Sequence, residues 1–175
     1  MSAKKKKNSL LLPMTALALA AAAGAAYFGL GRTGLEPGTS ADTAVAVQRI
    51  GQGESLVIPL KDLSNQASFF PIEVDGMKME VLAVKDSSGR ARTAFNTCQV
   101  CYGSGRGVYT QQGNTLVCGN CGNRFSVDQV EVEAGGCNPF PIFPEYKTQT
   151  AESIRIGYDY LKEAKVLFAR WKKNG

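Results

Sequence analysis

Four cysteines in two C-x-x-C pairs constrain this 175-residue chain more than any other feature of its sequence. Cys98 and Cys101 form the first pair, and Cys118 and Cys121 form the second, after an interval of sixteen residues. Two cysteines three positions apart on a tight turn direct both sulfurs at one ion, and a second such turn completes a tetrahedron. The spacing therefore predicts a four-thiolate metal site, and both zinc and iron–sulfur clusters accept such a site.

A fifth cysteine, Cys137, lies in the run Gly-Gly-Cys-Asn-Pro, which is expected to hold it in a rigid turn. It is a candidate fifth or alternate metal ligand, and a free buried thiol is the competing interpretation. An odd number of cysteines fits poorly with a framework made only of disulfides, so two disulfides are the less favoured alternative to a metal. The sequence contains no histidine, which excludes a C-x-x-C-H attachment site for c-type haem.

Chemistry other than metal binding finds little support in the sequence. Without histidine, the general base of an enzyme would have to be a carboxylate, and no Asp or Glu lies in a recognisable catalytic motif. The sequence shows no nucleophile–base pair and no phosphate-binding loop. We therefore expect an electron carrier or a metal-binding subunit rather than an enzyme.

The first 32 residues predict a cytoplasmic lysine tail followed by a membrane anchor. Lys4, Lys5, Lys6 and Lys7 form a positive block, and the stretch 8–31 carries no charge, which is long enough for one helix across the hydrocarbon core. Lysines stay in the cytoplasm, so the rest of the chain is expected outside, in a periplasmic or extracellular position. A cleaved signal peptide is the alternative, and it also exports the domain.

Beyond the anchor we expect a linker over residues 33–53 and one metal-binding domain over 54–175. Residues 1–35 contain five of the 20 basic residues and none of the 15 acidic ones, which leaves 15 of each sign for the rest of the chain. Because the folded part is neutral, nucleic acid is not an expected partner.

Alternating apolar and polar residues predict a mainly β (α+β) domain. Strand signals lie at 54–59, 67–74, 77–84, 92–95, 108–110, 115–117, 125–132 and 153–156, with turn signals at 75–76, 86–89 and 113–114. Met77 and Met79 share one strand face, where packing in the core is favoured over binding a soft metal such as copper. Residues 158–173 have helical periodicity, and their apolar stripe, which includes Val166, predicts a C-terminal helix packed on the sheet.

Residues 95–142 read FNTCQVCYGSGRGVYTQQGNTLVCGNCGNRFSVDQVEVEAGGCNPFPI. The order C-x-x-C, Gly-rich hairpin, V-C-x-N-C-G-x-R-F and G-G-C-N-P-x-P resembles the FtrD-like membrane iron–sulfur family, and the resemblance extends over about 55–175. It implies an iron–sulfur cluster and a role in membrane iron transport or its electron supply, with transport or redox subunits as partners.

The stretch that begins at Val117 and ends at Gly136 is also similar in layout to the second cluster loop of Rieske proteins, with cysteines where that family has histidines. This similarity implies a small β-sandwich or barrel-like domain that carries two ligand loops at one end, in a Rieske-like or zinc-ribbon-like arrangement. If a cluster is bound, ligation by thiolates alone should give it a lower potential than Rieske centres have.

Three functions are consistent with these features. The first is electron transfer through an iron–sulfur cluster held near a membrane partner. The second is a structural zinc-binding subunit of a membrane transport complex, in which the metal contributes folding energy. The third is a copper or thiol-redox metallochaperone, in which Cys137 and one C-x-x-C pair exchange.

Overall fold

The computed structural model describes residues 46–173, which form a mainly β domain as the alternating pattern predicts. The strands are β1 (Gln48–Arg49), β2 (Ser55–Pro59), β3 (Ser68–Val74), β4 (Met77–Lys85), β5 (Ala91–Cys98), β6 (Tyr109–Gln112), β7 (Thr115–Cys118), β8 (Arg124–Ser126), β9 (Pro139–Pro141), β10 (Thr148–Gln149) and β11 (Ser153–Gly157). One α-helix, α1 (Tyr158–Glu163), follows them. No helix within 46–173 has the length and apolar character needed to cross a membrane, and the predicted anchor lies outside the described residues.

The strands form three sheets. The central sheet has the order β1-β3-β4-β5-β9, the second sheet has β10-β11-β2, and the third has β6-β7-β8. Every pair is antiparallel except β1 with β3. β1 and the buried Ile50 lie in the segment expected to be a linker, so the folded domain includes residues from the end of that segment.

Both faces of the central sheet are covered by a hydrophobic core, as the residues of β4 illustrate. Its odd-numbered residues, Met79 and Val81 among them, face a core shared with the second sheet and the C-terminal helical segment. Its even-numbered residues Leu82 and Val84 face a separate core that contains the third sheet and the cysteines. The alternation predicted for this strand is confirmed, and Met77 and Met79 pack in the first core as the strand interpretation expects.

The turn between β4 and β5 is built around a buried carboxylate. The side chain of Asp86 is only 2% exposed, and it accepts hydrogen bonds from the Ser88 hydroxyl and from Arg90 and Arg92, each through Nε at 3.0 Å. Burial alone would raise the pKa of Asp86, but these hydrogen bonds outweigh it and hold the pKa well below its usual range.

We predict that Asp86→Asn lowers the free energy of unfolding at pH 7 by about 2 kcal/mol, because a charged hydrogen-bond acceptor is lost. A depressed carboxyl pKa contributes stability that is complete above the ordinary value of 3.8 and is lost as the pH falls toward the folded-state pKa. Thermal unfolding of parent and variant between about pH 2 and 7 measures this, since the two proteins otherwise share their titrating groups. Exposed Asp62→Asn is the control, and equal acid sensitivity of Asp86→Asn and the parent would contradict the prediction.

The strand predicted over 125–132 is wrong beyond its first residues. β8 ends at Ser126, and a 3-10 turn follows over Val127–Gln129. The Ser126 hydroxyl accepts a hydrogen bond from the Asp128 amide and so caps this turn. Val127 and Val130 are both buried, and their spacing of three brings them to one side of a 3-10 turn, whereas a strand would place them on opposite faces.

The C-terminal helix is shorter than the predicted range of 158–173. After α1 it continues as a 3-10 helix over Ala164–Phe168 and stops there. Beyond this point the Lys172 amide donates to the Gly105 carbonyl at 2.7 Å, so a contact with a distant loop replaces helical hydrogen bonding. Val166, expected on the apolar stripe, is exposed, because the tighter 3-10 winding after Ala164 turns it to the side opposite buried Leu161.

Candidate metal centre

Both C-x-x-C turns begin at the last residue of a strand. Cys98 ends β5, and Cys118 ends β7. The Cys98 amide donates to the Gly107 carbonyl at 2.8 Å, and the Gly119 amide donates to the Val108 carbonyl at 2.7 Å. The short segment at 107–108 therefore binds to both turns and holds them side by side.

The five thiols gather in one place. The Sγ atoms of Cys98, Cys101 and Cys137 lie within 4.8 Å of one another, and so do those of Cys101, Cys118 and Cys121. Because Cys101 belongs to both groups, the five sulfurs form one continuous set. Tetrahedral thiolate ligation at a metal–sulfur distance of about 2.3 Å separates sulfurs by roughly 3.8 Å, which fits the spacing within each group of three. The structure does not bring the four C-x-x-C sulfurs together as one such group, since Cys98 is grouped with Cys101 and Cys137.

The loop that carries Cys137 is fastened to the first C-x-x-C turn by Gln99. The Gln99 amide donates to the Asn138 carbonyl at 3.0 Å, and its side-chain oxygen accepts from the Gly135 amide at 2.9 Å. Gly135 has a φ of +90°, a conformation that residues with a side chain rarely adopt. The Gly-Gly sequence before Cys137 therefore shapes a loop that returns this cysteine to the other four.

Two further side chains hold the backbone of Cys137. Its carbonyl accepts hydrogen bonds from the Tyr109 hydroxyl at 2.7 Å and from the side-chain amide of Asn123 at 3.0 Å. Tyr109 is buried, and its role could not be found from the sequence, because nothing in the spacing along the chain relates it to Cys137. The role of Asn123 was likewise missed, because it depends on a contact between two loops.

Two of the thiols have lowered pKa values. Burial opposes ionisation of Cys98, but hydrogen-bond donors around it, among them the Cys101 amide 3.4 Å from the sulfur, outweigh it and lower the pKa. The backbone amide of Asn123 lowers the pKa of Cys121 to about 7. Hydrogen bonds that favour thiolates also prepare these sulfurs to bind metal, since the thiolate is the ligand form.

The other three thiols are shifted in the opposite direction. Burial raises the pKa of Cys101 and raises that of Cys118 to about 12. The neighbouring Cys121 is the main cause that raises the pKa of Cys137 to about 12. Several buried thiolates so close together repel one another, and a bound cation relieves this repulsion. The donor set therefore fits a metal centre ligated by thiolates.

Gly107 allows the chain to pass close to the first cysteine pair. A Cβ at this position would lie 3.0 Å from the Cys98 Cβ and 3.1 Å from the Cys101 Cβ, closer than ordinary van der Waals contact. By contrast, a Cβ on Gly103, in the same loop, would meet nothing within 4 Å. The two glycines therefore offer a matched pair of substitutions.

We predict that Gly107→Ala lowers the metal content of the purified protein by about tenfold, because the added methyl group must displace the ligand turn. Mutations that disturb the orientation of metal ligands typically weaken metal binding to this degree. Gly103→Ala should keep the parent metal content. Elemental analysis of both variants beside the parent makes the measurement. Equal metal content in the two variants would contradict the proposed tight fit at Gly107.

Residues near the C-terminus contact the strand that leads into the first ligand turn. Asn96 is fully buried, and its side chain donates to Glu80 at 2.6 Å and accepts from the Tyr109 amide at 2.7 Å. Trp171 donates its indole N–H to the Asn96 carbonyl at 3.0 Å, and Lys173 pairs with Glu80. The end of the chain is thus linked through Asn96 to the strand that follows the first ligand loop.

The family comparison agrees with the resemblance drawn from the cysteine motifs. Residues 60–168 match the family model described as "Membrane iron-sulfur containing protein FtrD-like". None of the curated proteins and none of the solved structures matches the chain. The matched segment covers more than half of the chain and contains all five clustered cysteines, and on this basis the chain belongs to the FtrD-like family of membrane iron–sulfur proteins.

Proposed function

We propose that this protein is a membrane-anchored electron carrier whose cysteine centre holds an iron–sulfur cluster. The observation that carries the proposal is the convergence of five thiols in a chain that belongs to an iron–sulfur family. Cys98, Cys101, Cys118 and Cys121 are the proposed ligands, and Cys137 is the fifth thiol beside them.

The donor set favours a cluster ligated only by thiolates. The chain has no histidine, and the backbone amide of Cys101 lies 3.4 Å from the Cys98 sulfur as a hydrogen-bond donor. A bound iron–sulfur cluster supplies one-electron chemistry, and its potential depends on net charge and on hydrogen bonds to sulfur. Ligation by four thiolates, without a neutral imidazole, should place the potential below that of Rieske centres.

The burial of the cysteines supports electron exchange at one side of the site. Cys98 and Cys118 are buried, whereas Cys121 is exposed. Val100, between the first two cysteines, is 63% exposed, and Tyr102 beside them is also exposed. Apolar and aromatic groups are enriched in protein interfaces, so this side of the ligand loops offers a contact for a redox partner.

We further propose that the domain lies outside the cytoplasmic membrane, on a single N-terminal anchor over residues 1–32. The family description names a membrane protein, and the lysine block before the apolar stretch favours this orientation. Such a position suits electron supply to a membrane iron-transport complex, whose subunits are the proposed partners. An electron carrier of this kind needs no catalytic residue of its own.

The test is to purify the full chain anaerobically in a neutral detergent and to measure iron, acid-labile sulfide and zinc on one sample. Matching iron and sulfide, with visible absorption that dithionite bleaches reversibly, is the expected result. One zinc per chain with no colour would overturn the proposal and favour the structural zinc subunit. In that case a chelator should unfold the domain without any redox change.

A further inference from the structure

A cationic cleft lies away from the cysteine centre, between the second sheet and the turn that joins β4 to β5. Its volume is about 1170 Å³, which is ample for a small organic ligand. Five basic side chains line it: Lys61, Lys85, Arg90, Arg92 and Arg155. This concentration is unexpected, because the chain from residue 36 onward carries equal numbers of basic and acidic residues.

Acidic side chains near the cleft do not neutralise it. The lining contains two carboxylates, and that of Glu131 is already paired with Lys147, which leaves Glu152. Within residues 46–173 no carboxylate forms an ion pair with Lys61, Lys85 or Arg155. Together with the two arginines bound to Asp86, these residues leave a surplus of positive charge in a concave site, where potentials are strongest.

Two of the arginines are positioned in advance. Arg90 and Arg92 both bind the buried Asp86 through Nε, at 3.0 Å each. This contact orients each guanidinium group and leaves its terminal nitrogens for another acceptor. The planar donor fork of arginine binds carboxylate and phosphate groups in a bidentate manner, and a fork that is already fixed loses less entropy on binding.

The chemistry of the lining favours a small anion over a protein partner. Protein interfaces gain most of their binding energy from large apolar or aromatic groups that become buried. The large apolar side chains that are exposed within residues 46–173 are Val47, Val100, Tyr102, Val132, Tyr146 and Val166, and none of them lines this cleft. Charge without such groups suits a compact, strongly charged ligand.

We propose that this cleft is a binding site for a soluble, multiply charged oxyanion that carries carboxylate or phosphate groups. Arg90 and Arg92 bind it from the turn after β4, while Lys61 and Arg155 bind it from the second sheet and the loop beside it. This function does not depend on the cluster or on the proposed electron transfer.

Isothermal titration calorimetry of the metal-loaded full chain, in a neutral detergent at low salt, tests the proposal. The probes are citrate and pyrophosphate, with acetate as a monovalent control and phosphatidylglycerol vesicles as a lipid source of phosphate. We expect saturable binding of at least one multivalent probe, no measurable binding of acetate, and weaker binding as salt screens the charges.

The decisive variant is Lys61→Gln with Arg155→Gln, because both residues are exposed and without an ion pair among the described residues, so that folding should be preserved. It should bind the multivalent probe about tenfold more weakly, a loss of about 1.4 kcal/mol. The matched control is Lys78→Gln with Arg170→Gln, which removes the same charge from exposed positions outside the cleft and should leave the affinity unchanged. Equal losses in both double variants, binding to vesicles alone, or no saturable binding of either probe would overturn the proposal.

Discussion

Replacing Cys101 by serine is expected to lower the iron and acid-labile sulfide content of the purified protein by at least about tenfold, since losing a ligand should cost more than losing a group that only orients a ligand. Cys101 is the one cysteine that belongs to both thiol groups. A hydroxyl ligates iron poorly in place of a thiolate, and the site would also lose the donor that joins its two halves. Metal analysis and visible absorption of anaerobically purified protein make the measurement.

The same replacement at Cys137 provides the matched comparison. Cys137→Ser removes one sulfur from the same group of five thiols. It should leave the iron and sulfide contents near the parent values if the four C-x-x-C cysteines are the ligands. A variant at 137 that loses its iron as Cys101→Ser does would instead assign Cys137 as a ligand. Full iron and sulfide in Cys101→Ser would contradict the proposed centre.

The second large effect is expected at a buried ion pair distant from the cysteines. Lys147 and Glu131 form a direct pair, with side chains only 3% and 4% exposed, and the Glu131 carboxylate also accepts the Thr93 amide at 2.8 Å. Burial lowers the pKa of Lys147, and the Glu131 carboxylate acts against this shift. Glu131 has a φ of +63°, which is unusual for a residue with a side chain, so its contacts hold a strained backbone in place.

We predict that Lys147→Met lowers the free energy of unfolding by about 3–5 kcal/mol, because it leaves a buried carboxylate without its countercharge. Urea unfolding of the metal-loaded protein, followed by circular dichroism, measures the loss. Adding Glu131→Gln to this variant should recover part of the stability, since the uncompensated charge is then removed.

Arg49→Met is the control for this prediction. Arg49 pairs with Glu73 at 3.4 Å, but its side chain is 85% exposed, so removing this pair should cost less than about 1 kcal/mol. Similar losses of unfolding free energy for Lys147→Met and Arg49→Met would contradict the prediction, because the buried Lys147–Glu131 pair would then matter no more than an exposed one.

The strands of the central sheet could be predicted closely from the sequence. β4 alternates between residues that face two different cores, and the dipeptide Asp75-Gly76 marks the turn before it. Both signals are local, because side chains alternate along any strand and a tight turn needs residues that tolerate its backbone. The prediction failed at 127–132, where the two buried valines are three positions apart, which is the period of a 3-10 turn and not that of a strand.

The cysteines of the candidate site were identified from the sequence, but the residues that hydrogen-bond around them were not. The C-x-x-C spacing brings two sulfurs together on one turn, so the pairs could be recognised in isolation. Tyr109, Asn96 and Asn123 contribute through hydrogen bonds to residues 13 or more positions away, and no periodicity in the sequence reports such contacts. The cationic cleft was missed for the same reason, since its residues are scattered over four segments of the chain.

The sequence alone thus determined the mainly β class, the two thiol pairs and the family, because each depends on residue type and short-range spacing. Only the tertiary structure decided that Cys137 joins the other four thiols, that the C-terminal helix stops at Phe168, and that five cations meet in one cleft. These features depend on contacts between distant segments. The positions of such segments follow from the packing of three sheets around two cores, which local patterns do not specify.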